Sequence, residues 1–138
     1  MYKEKKKICI MEQKIRIVIT DKNRNVRTLL QREFMSEGYE AYIAENGIEL
    51  CGYILSNINI DLMILDPEIP YINYILLNNY IQRHRPDLPI IMHVFGIDES
   101  IYSINNIVAV IEKKPDLNLL KQKAAQILSN NIINLKLR

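Results

Sequence analysis

Five short apolar runs rich in branched residues punctuate this chain, and they limit its fold more than any other feature. They lie at residues 15–20 (IRIVIT), 42–44, 60–65 (IDLMIL), 88–94 (LPIIMHV) and 107–111 (IVAVI). Runs of this length without polar alternation suit strands buried on both faces. Between them, apolar residues recur at helical spacing. Val26, Leu29, Leu30 and Phe34 precede Gly38, which suits a helix C-terminus. Residues 48–55 follow the turn signal Asn46-Gly47, and residues 74–85 stop before Pro86, with Ile75, Leu76, Tyr80 and Ile81 expected inward. Leu117, Leu120, Ala124, Ile127 and Leu128 follow Asp116, a suitable N-cap. Strands alternating with helices imply βαβ crossovers and a parallel sheet covered on both faces, an α/β three-layer class.

The 138 residues, 49% hydrophobic and 25% charged, suffice for one domain burying roughly 68–70% of its unfolded surface. The longest uncharged stretch, residues 69–82, is 14 residues long, against the ~20 apolar residues of a membrane span. The lysine-rich start is followed by an apolar stretch of only residues 8–11, too short for a signal peptide, so a cytoplasmic location is expected. Cys9 and Cys51 form no CxxC pair and read as reduced thiols. The net charge of +2 conceals basic ends and an acidic middle. Residues 1–16 carry six basic and two acidic side chains, residues 117–138 four basic and none acidic, and the rest eight basic and fourteen acidic. Nucleic-acid binding needs a contiguous cationic face, so neither DNA nor a membrane is an expected partner. Phosphate-cradling GxGxxG and GxxxxGK[ST] loops are missing, which disfavours a nucleotide-binding enzyme.

Open α/β sheets bind ligands beyond the carboxyl ends of their strands. Here those ends read Asp21-Lys22, Asp66, His93-Val94 and Lys113-Lys114-Pro115. Two carboxylates and at least one lysine therefore converge on one rim. His93, between Met92 and Val94, reads as a core histidine with its hydrogen bonds satisfied, and His84, between Arg83 and Arg85, as a solvated helix-end residue.

The stretches IRIVITDKNRNVRTLL, EGYEAYIAENG, IDLMILDPEIP, RPDLPIIM and EKKPDLNLL, spread over residues 14–129, resemble the receiver domains of bacterial response regulators in order and spacing. The resemblance implies the flavodoxin-like fold, a five-stranded parallel sheet in the order 2-1-3-4-5. It implies that Asp66 is the phosphoacceptor, supplied by a histidine kinase or phosphotransfer protein. Asp21 would be the acidic-pocket residue and Lys114, fixed in register by Pro115, the lysine pairing with the phosphoryl group. Asp21, Asp66 and the Glu68 backbone carbonyl would hold Mg²⁺. The domain would be a phosphoprotein signalling module rather than an enzyme.

Several positions depart from the family pattern. The second acidic residue after the first strand is Lys22, the hydroxyl residue after the fourth is Val94 and the small residue after that is Phe95. The aromatic switch position, three before Lys114, is Ile111, and a glycine usual after the third strand is Tyr74. The interval from Val94 to Lys114 also suits a shrunken or missing fourth helix. With Lys22 turned inward the pocket is neutral, and a unit-charge pair at 4 Å is worth ~4 kcal/mol at an effective dielectric of 20. Mg²⁺ is then expected to bind weakly or not at all, with the Lys22 ammonium as counter-ion to Asp66. Lys22 pointing to solvent is the alternative. The expected organisation is a basic extension at 1–13, a receiver-like domain at 14–129 and a short tail at 130–138, standing alone without an output domain. Two roles follow: a phosphorelay component acting by protein–protein interaction, with degraded metal and switch positions, or a pseudo-receiver that binds partners without phosphoryl chemistry.

Overall fold

A computed structural model describes residues 14–96 and 103–136, with side chains through residue 131. Cys9 and the basic extension at 1–13 lie outside the described residues. The chain runs β1 (Arg16–Thr20), α1 (Arg24–Ser36), β2 (Glu40–Ala44), α2 (Gly47–Leu55), β3 (Leu62–Leu65), α3 (Tyr74–His84), β4 (Ile90–Val94), β5 (Ile107–Glu112) and α4 (Asn118–Lys136). All four strand pairings are parallel and the order is β2-β1-β3-β4-β5, as the sequence implied.

Period-two alternation sorts the sheet residues into two cores. Val18, Met63, Leu65, Ile90, Met92 and Val94 face one side, where Leu50 and Ile54 of α2 and Leu77 and Ile81 of α3 cover them. Ile17, Ile19, Leu62, Ile64 and Ile91 face the other, beneath Leu30 and Phe34 of α1 and Leu120, Ala124 and Leu128 of α4. Helix α3 turns Ile81 and part of Tyr80 inward as expected, but Ile75 and Leu76 are replaced on that face by Leu77. Leu77 and Ile81, one helical turn apart, are buried, whereas Ile75 is 73% exposed and Leu76 also faces out. Helix α4 continues through Lys136, so most of the segment read as a tail extends the helix. Its Asn/Ile-rich sequence contains no Gly or Pro to stop it. Among the described residues no helix connects β4 to β5, and residues 97–102 of that connection lie outside them.

Side chains lock the loops that frame the rim. Asn23 caps α1, its Oδ1 accepting from Asn25 N and Val26 N, and Gly38 ends that helix at φ 95°. The β3–α3 loop presses on the start of α2. Gly47 N donates to Pro70 O at 2.9 Å, and a Cβ at Gly47 would stand 2.0 Å from Tyr71 O. Tyr71 itself takes φ 57°, uncommon for a residue other than glycine. Arg85 holds the other end of α2, donating to Tyr53 O, Ile54 O and Ser56 O at 2.9–3.1 Å. His84 is exposed in the last turn of α3, as expected.

Candidate functional site

Asp21, Asp66, His93 and Lys113 each follow strand residues of a single parity. Asp21 continues Ile17 and Ile19, Asp66 continues Leu62 and Ile64, His93 follows Ile91, and Lys113 continues Ala109 and Ile111. Alternation therefore places all four on the α1/α4 side at the carboxyl rim. Lys113 Nζ lies 2.9 Å from Asp66 Oδ2 and 2.9 Å from Asp21 Oδ2. All three side chains are buried, Asp66 completely. The Lys113 contact to Asp66 is a directed hydrogen bond, whereas that to Asp21 Oδ2 is an ion contact without hydrogen-bond geometry.

This corrects the expected lysine. Pro115 pointed to Lys114, but Lys114 is exposed and Lys113 fills the pocket. The β4–β5 ladder fixes the choice: Val94 pairs with Glu112, Lys113 N donates to Val94 O at 2.5 Å, and the next side chain on the α1/α4 face is Lys113. Counted from Lys113, the position three residues back is Val110 rather than Ile111. Neither has a ring, and Ile111 packs half-buried against the α1/α4 core.

Of the two orientations expected for Lys22, the structure shows the solvent-facing one, and Lys22 is not the counter-ion of Asp66. Its ammonium turns outward to Glu68 Oε2 at 2.9 Å, and only its backbone N–H reaches Asp66 Oδ2, also at 2.9 Å. The bond to Glu68 is the main cause raising its pKa, with the charges of Asp66 and Asp21 further down. The counter-ion inside the pocket is thus the Lys113 ammonium. Phe95 is 67% exposed, with Lys113 Nζ 5.0 Å and Lys22 Nζ 5.8 Å from its ring centroid, within cation–π range. Val94 is buried against the α2/α3 core and presents no donor.

Asp66 is held at every polar atom: Oδ1 accepts from Glu68 N at 2.9 Å, Oδ2 from Lys22 N and Lys113 Nζ, and its own N–H donates to Thr20 Oγ1 at 2.8 Å. Asp21 Oδ1 accepts from Asn23 N at 2.8 Å, which links the pocket to the cap of α1. Its Oδ2 has the Lys113 ammonium for company and no directed bond. That oxygen, together with Asp66, is the donor set a small hard cation would use. The residues are therefore of the right type for Mg²⁺, but a metal would compete with Lys113 for Asp21. Among the described residues no group of three His, Cys, Asp or Glu side chains could hold a metal ion.

Sequence reading missed Thr20 and Arg27. The Arg27 guanidinium is buried on α1 and donates to Asp21 O at 2.8 Å and Lys22 O at 3.4 Å, clamping the β1–α1 loop. Its signal was a lone arginine one position after Val26 on the inward helix face. His93 is 2% exposed, with Nδ1 unbonded. Burial first, and then the Lys113 charge, lower its pKa to about 4 against the opposing pull of Asp21 and Asp66. It is a core histidine as the sequence suggested, but its Nδ1 is left without the partner expected there.

Among the described residues no helix is long and apolar enough to cross a membrane. Neither a family model nor a curated protein matches the chain. Solved structures do. The response regulator TrrA of Thermotoga maritima, in complex with Mg²⁺–BeF, is 31% identical with a TM-score of 0.68, covering 82% of this chain and 98% of its own. The same regulator in complex with the histidine kinase ThkA is 32% identical at a TM-score of 0.71, covering 83% and 98%. A CheY-like receiver domain protein of Methanospirillum hungatei is 25% identical at a TM-score of 0.78, covering 88% and 99%. The shared sheet order and an identity above 30% over four fifths of the sequence carry one conclusion: this chain belongs to the receiver domains of response regulators, the receiving modules of two-component signalling.

Proposed function

We propose that Asp66 accepts a phosphoryl group from a phosphohistidine on a kinase or phosphotransfer protein, and that the domain then acts by docking to a signalling partner. The observation that carries this reading is the Lys113 ammonium at 2.9 Å from both Asp66 and Asp21. Two carboxylates and one lysine supply a nucleophile and a fixed positive charge for phosphoryl oxygens. In the transfer a carboxylate oxygen of Asp66 bonds to phosphorus as the P–N bond breaks. The electron pair leaves on the donor imidazole, which takes a proton from solvent. Lys113 stays to neutralise the acyl phosphate, and the N–H groups of Lys22 and Glu68 orient the carboxylate.

Asp21, Asp66 and the Glu68 carbonyl are the groups that would hold Mg²⁺, as TrrA's complex with Mg²⁺–BeF suggests by analogy. The ion would add charge neutralisation on the transferring oxygens. Its affinity is expected to be weak, because Lys113 already sits beside Asp21 Oδ2. Val94 without a hydroxyl, and Ile111 or Val110 without a ring, leave the family's usual sensing groups unfilled. The output is accordingly proposed to depend on charge at Asp66 rather than on a hydroxyl-and-ring switch. Complete burial of Asp66 behind its own counter-ion favours the second reading, a pseudo-receiver that docks without phosphoryl transfer.

Incubation with phosphoramidate and Mg²⁺, followed by intact-mass measurement, separates the two. The expected result is one phosphoryl adduct on the wild-type chain and none on Asp66→Asn. An unmodified wild-type chain whose partner binding is unaffected by Asp66→Asn would overturn phosphoryl acceptance and leave the pseudo-receiver.

A further inference from the structure

We propose that Thr20 is the positioning residue of the acceptor: its hydroxyl, at the end of β1, fixes the backbone from which the Asp66 carboxylate projects. This deepens the reading of Asp66 as phosphoacceptor and rests on it.

The β1–β3 ladder runs from Ile17 opposite Leu62 to Ile19 opposite Ile64 and stops there. One residue further on, the Thr20 side chain spans the gap between the strands. Its Oγ1 donates to Ile64 O at 3.2 Å and accepts from Asp66 N at 2.8 Å. A hydroxyl is the smallest side-chain group able to donate and accept at once. Here it joins the carbonyl two residues before Asp66 to the amide of Asp66 itself. Thr20 and Asp66 are both 0% exposed, so lost partners could not be replaced by bulk water.

The other restraints on Asp66 reach its carboxylate from Lys22, Glu68 and Lys113, and its carbonyl from Ile69 N at 3.4 Å in the loop that follows. Lys22 and Glu68 lie in loops and Lys113 follows the edge strand β5. Thr20 acts instead on the Asp66 N–H, from inside the sheet. Its neighbours at strand positions of the same parity are apolar: Val18 on β1, Leu65 on β3 and Met92 and Val94 on β4. A hydroxyl among them has no packing advantage over valine, which has the same shape, and its two bonds both serve the segment that ends in Asp66. Because a displacement of about 1 Å can cost ~100-fold in a reaction that depends on orientation, a small shift of this peptide should be visible in the rate.

The test compares Thr20→Val, Thr20→Ser and, as a control, Leu128→Ala, which weakens the α1/α4 core midway along α4. Three quantities are read: the rate of phosphoramidate labelling with Mg²⁺, amide hydrogen exchange at Asp66, and urea stability. Thr20→Val should slow labelling by about tenfold or more and speed exchange at the Asp66 amide. Thr20→Ser should restore both, and Leu128→Ala should lose stability while labelling at the wild-type rate. Wild-type exchange at Asp66 in Thr20→Val, or equal slowing by Leu128→Ala, would overturn the proposal. Should the wild-type chain take no label, phosphoryl acceptance fails. Asp66 exchange and the NMR signal of the Lys113 ammonium then decide the role of Thr20: shifts in Thr20→Val that Thr20→Ser reverses uphold positioning, and unchanged signals refute it.

Discussion

The two halves of the carboxyl rim differ in what they bury. At the ends of β1 and β3, Thr20, Asp21 and Asp66 are all 0% exposed, and the polar atoms of Thr20 and Asp66 are met by directed bonds from neighbouring loops and strands. At the ends of β4 and β5 stand Val94, buried and apolar, Phe95, largely exposed, and Ile111, half-buried. Strand β3 is buried throughout, whereas β5 is half-exposed along its length. The main link between the halves is Lys113, which reaches from the end of β5 to both buried carboxylates, beside a longer contact of Lys22 Nζ with the Phe95 ring. Holding a charged acceptor and reporting its state are thus separable tasks in this fold: the first needs buried partners, and the second needs groups that change partners.

The largest expected effect comes from cutting that link. Lys113→Met would leave two buried carboxylates without their counter-charge and is expected to cost about 3–5 kcal/mol in urea unfolding. Lys114→Met, at an exposed position, should stay within about 0.5 kcal/mol of wild type. The reverse ranking would undo the assignment of Lys113 to the pocket.

His93 tests the half that lacks polar partners. Its folded pKa of about 4 lies below the ordinary 6.5, so between those values the unfolded chain binds a proton that the folded chain refuses. Stability is therefore complete above pH 6.5 and falls as pH drops toward 4, by about 3 kcal/mol at 1.36 kcal/mol per pH unit. His93→Leu should flatten that slope in pH-dependent urea unfolding. Any loss near and below pH 4.5 from Glu40, whose pKa the bond from Arg16 lowers, should remain. An unchanged slope in His93→Leu would show that another group carries it.

Lys22→Asp sharpens the comparison from the metal side. It removes one positive charge beside the pocket and adds a carboxylate near Asp21 and Asp66. Mg²⁺ affinity, followed by amide NMR titration, should rise about tenfold, or ~1.4 kcal/mol. A smaller effect would mean that the outward bond to Glu68 already isolates Lys22 from the site. Val94→Thr carries the smallest stability change, about 1 kcal/mol of loss from placing a hydroxyl in an apolar core. If that hydroxyl brings the β4 end into the response to phosphodonor, the missing sensing group is what separates the two halves.

Much of the fold was legible because buried parallel strands are written as uninterrupted apolar runs, and IRIVIT, IDLMIL and LPIIMHV all became strands where expected. Asp21 and Asp66 were legible as the polar residues that end two of those runs. The choice between Lys113 and Lys114 was not legible from Pro115, but it was latent in the parity of Ala109 and Ile111, which only the β4–β5 register makes usable. The outward turn of Lys22 depends on Glu68, 46 residues away, and no local pattern announces it. Thr20 hid inside an apolar run because its partners belong to β3. In α3, Ile75 and Leu76 fit an apolar stripe about as well as Leu77, and packing against the sheet selected Leu77 and Ile81.

The most direct test of the division between the two halves is amide NMR of the uniformly labelled chain before and after phosphoramidate and Mg²⁺, with Asp66→Asn as the blank. The account predicts shifts at Thr20, Lys22, Glu68 and Lys113 in the wild type alone, with Val94, Phe95 and Ile111 nearly unmoved. Shifts of equal size at those three residues would contradict it, showing that the β4 and β5 ends read the acceptor after all.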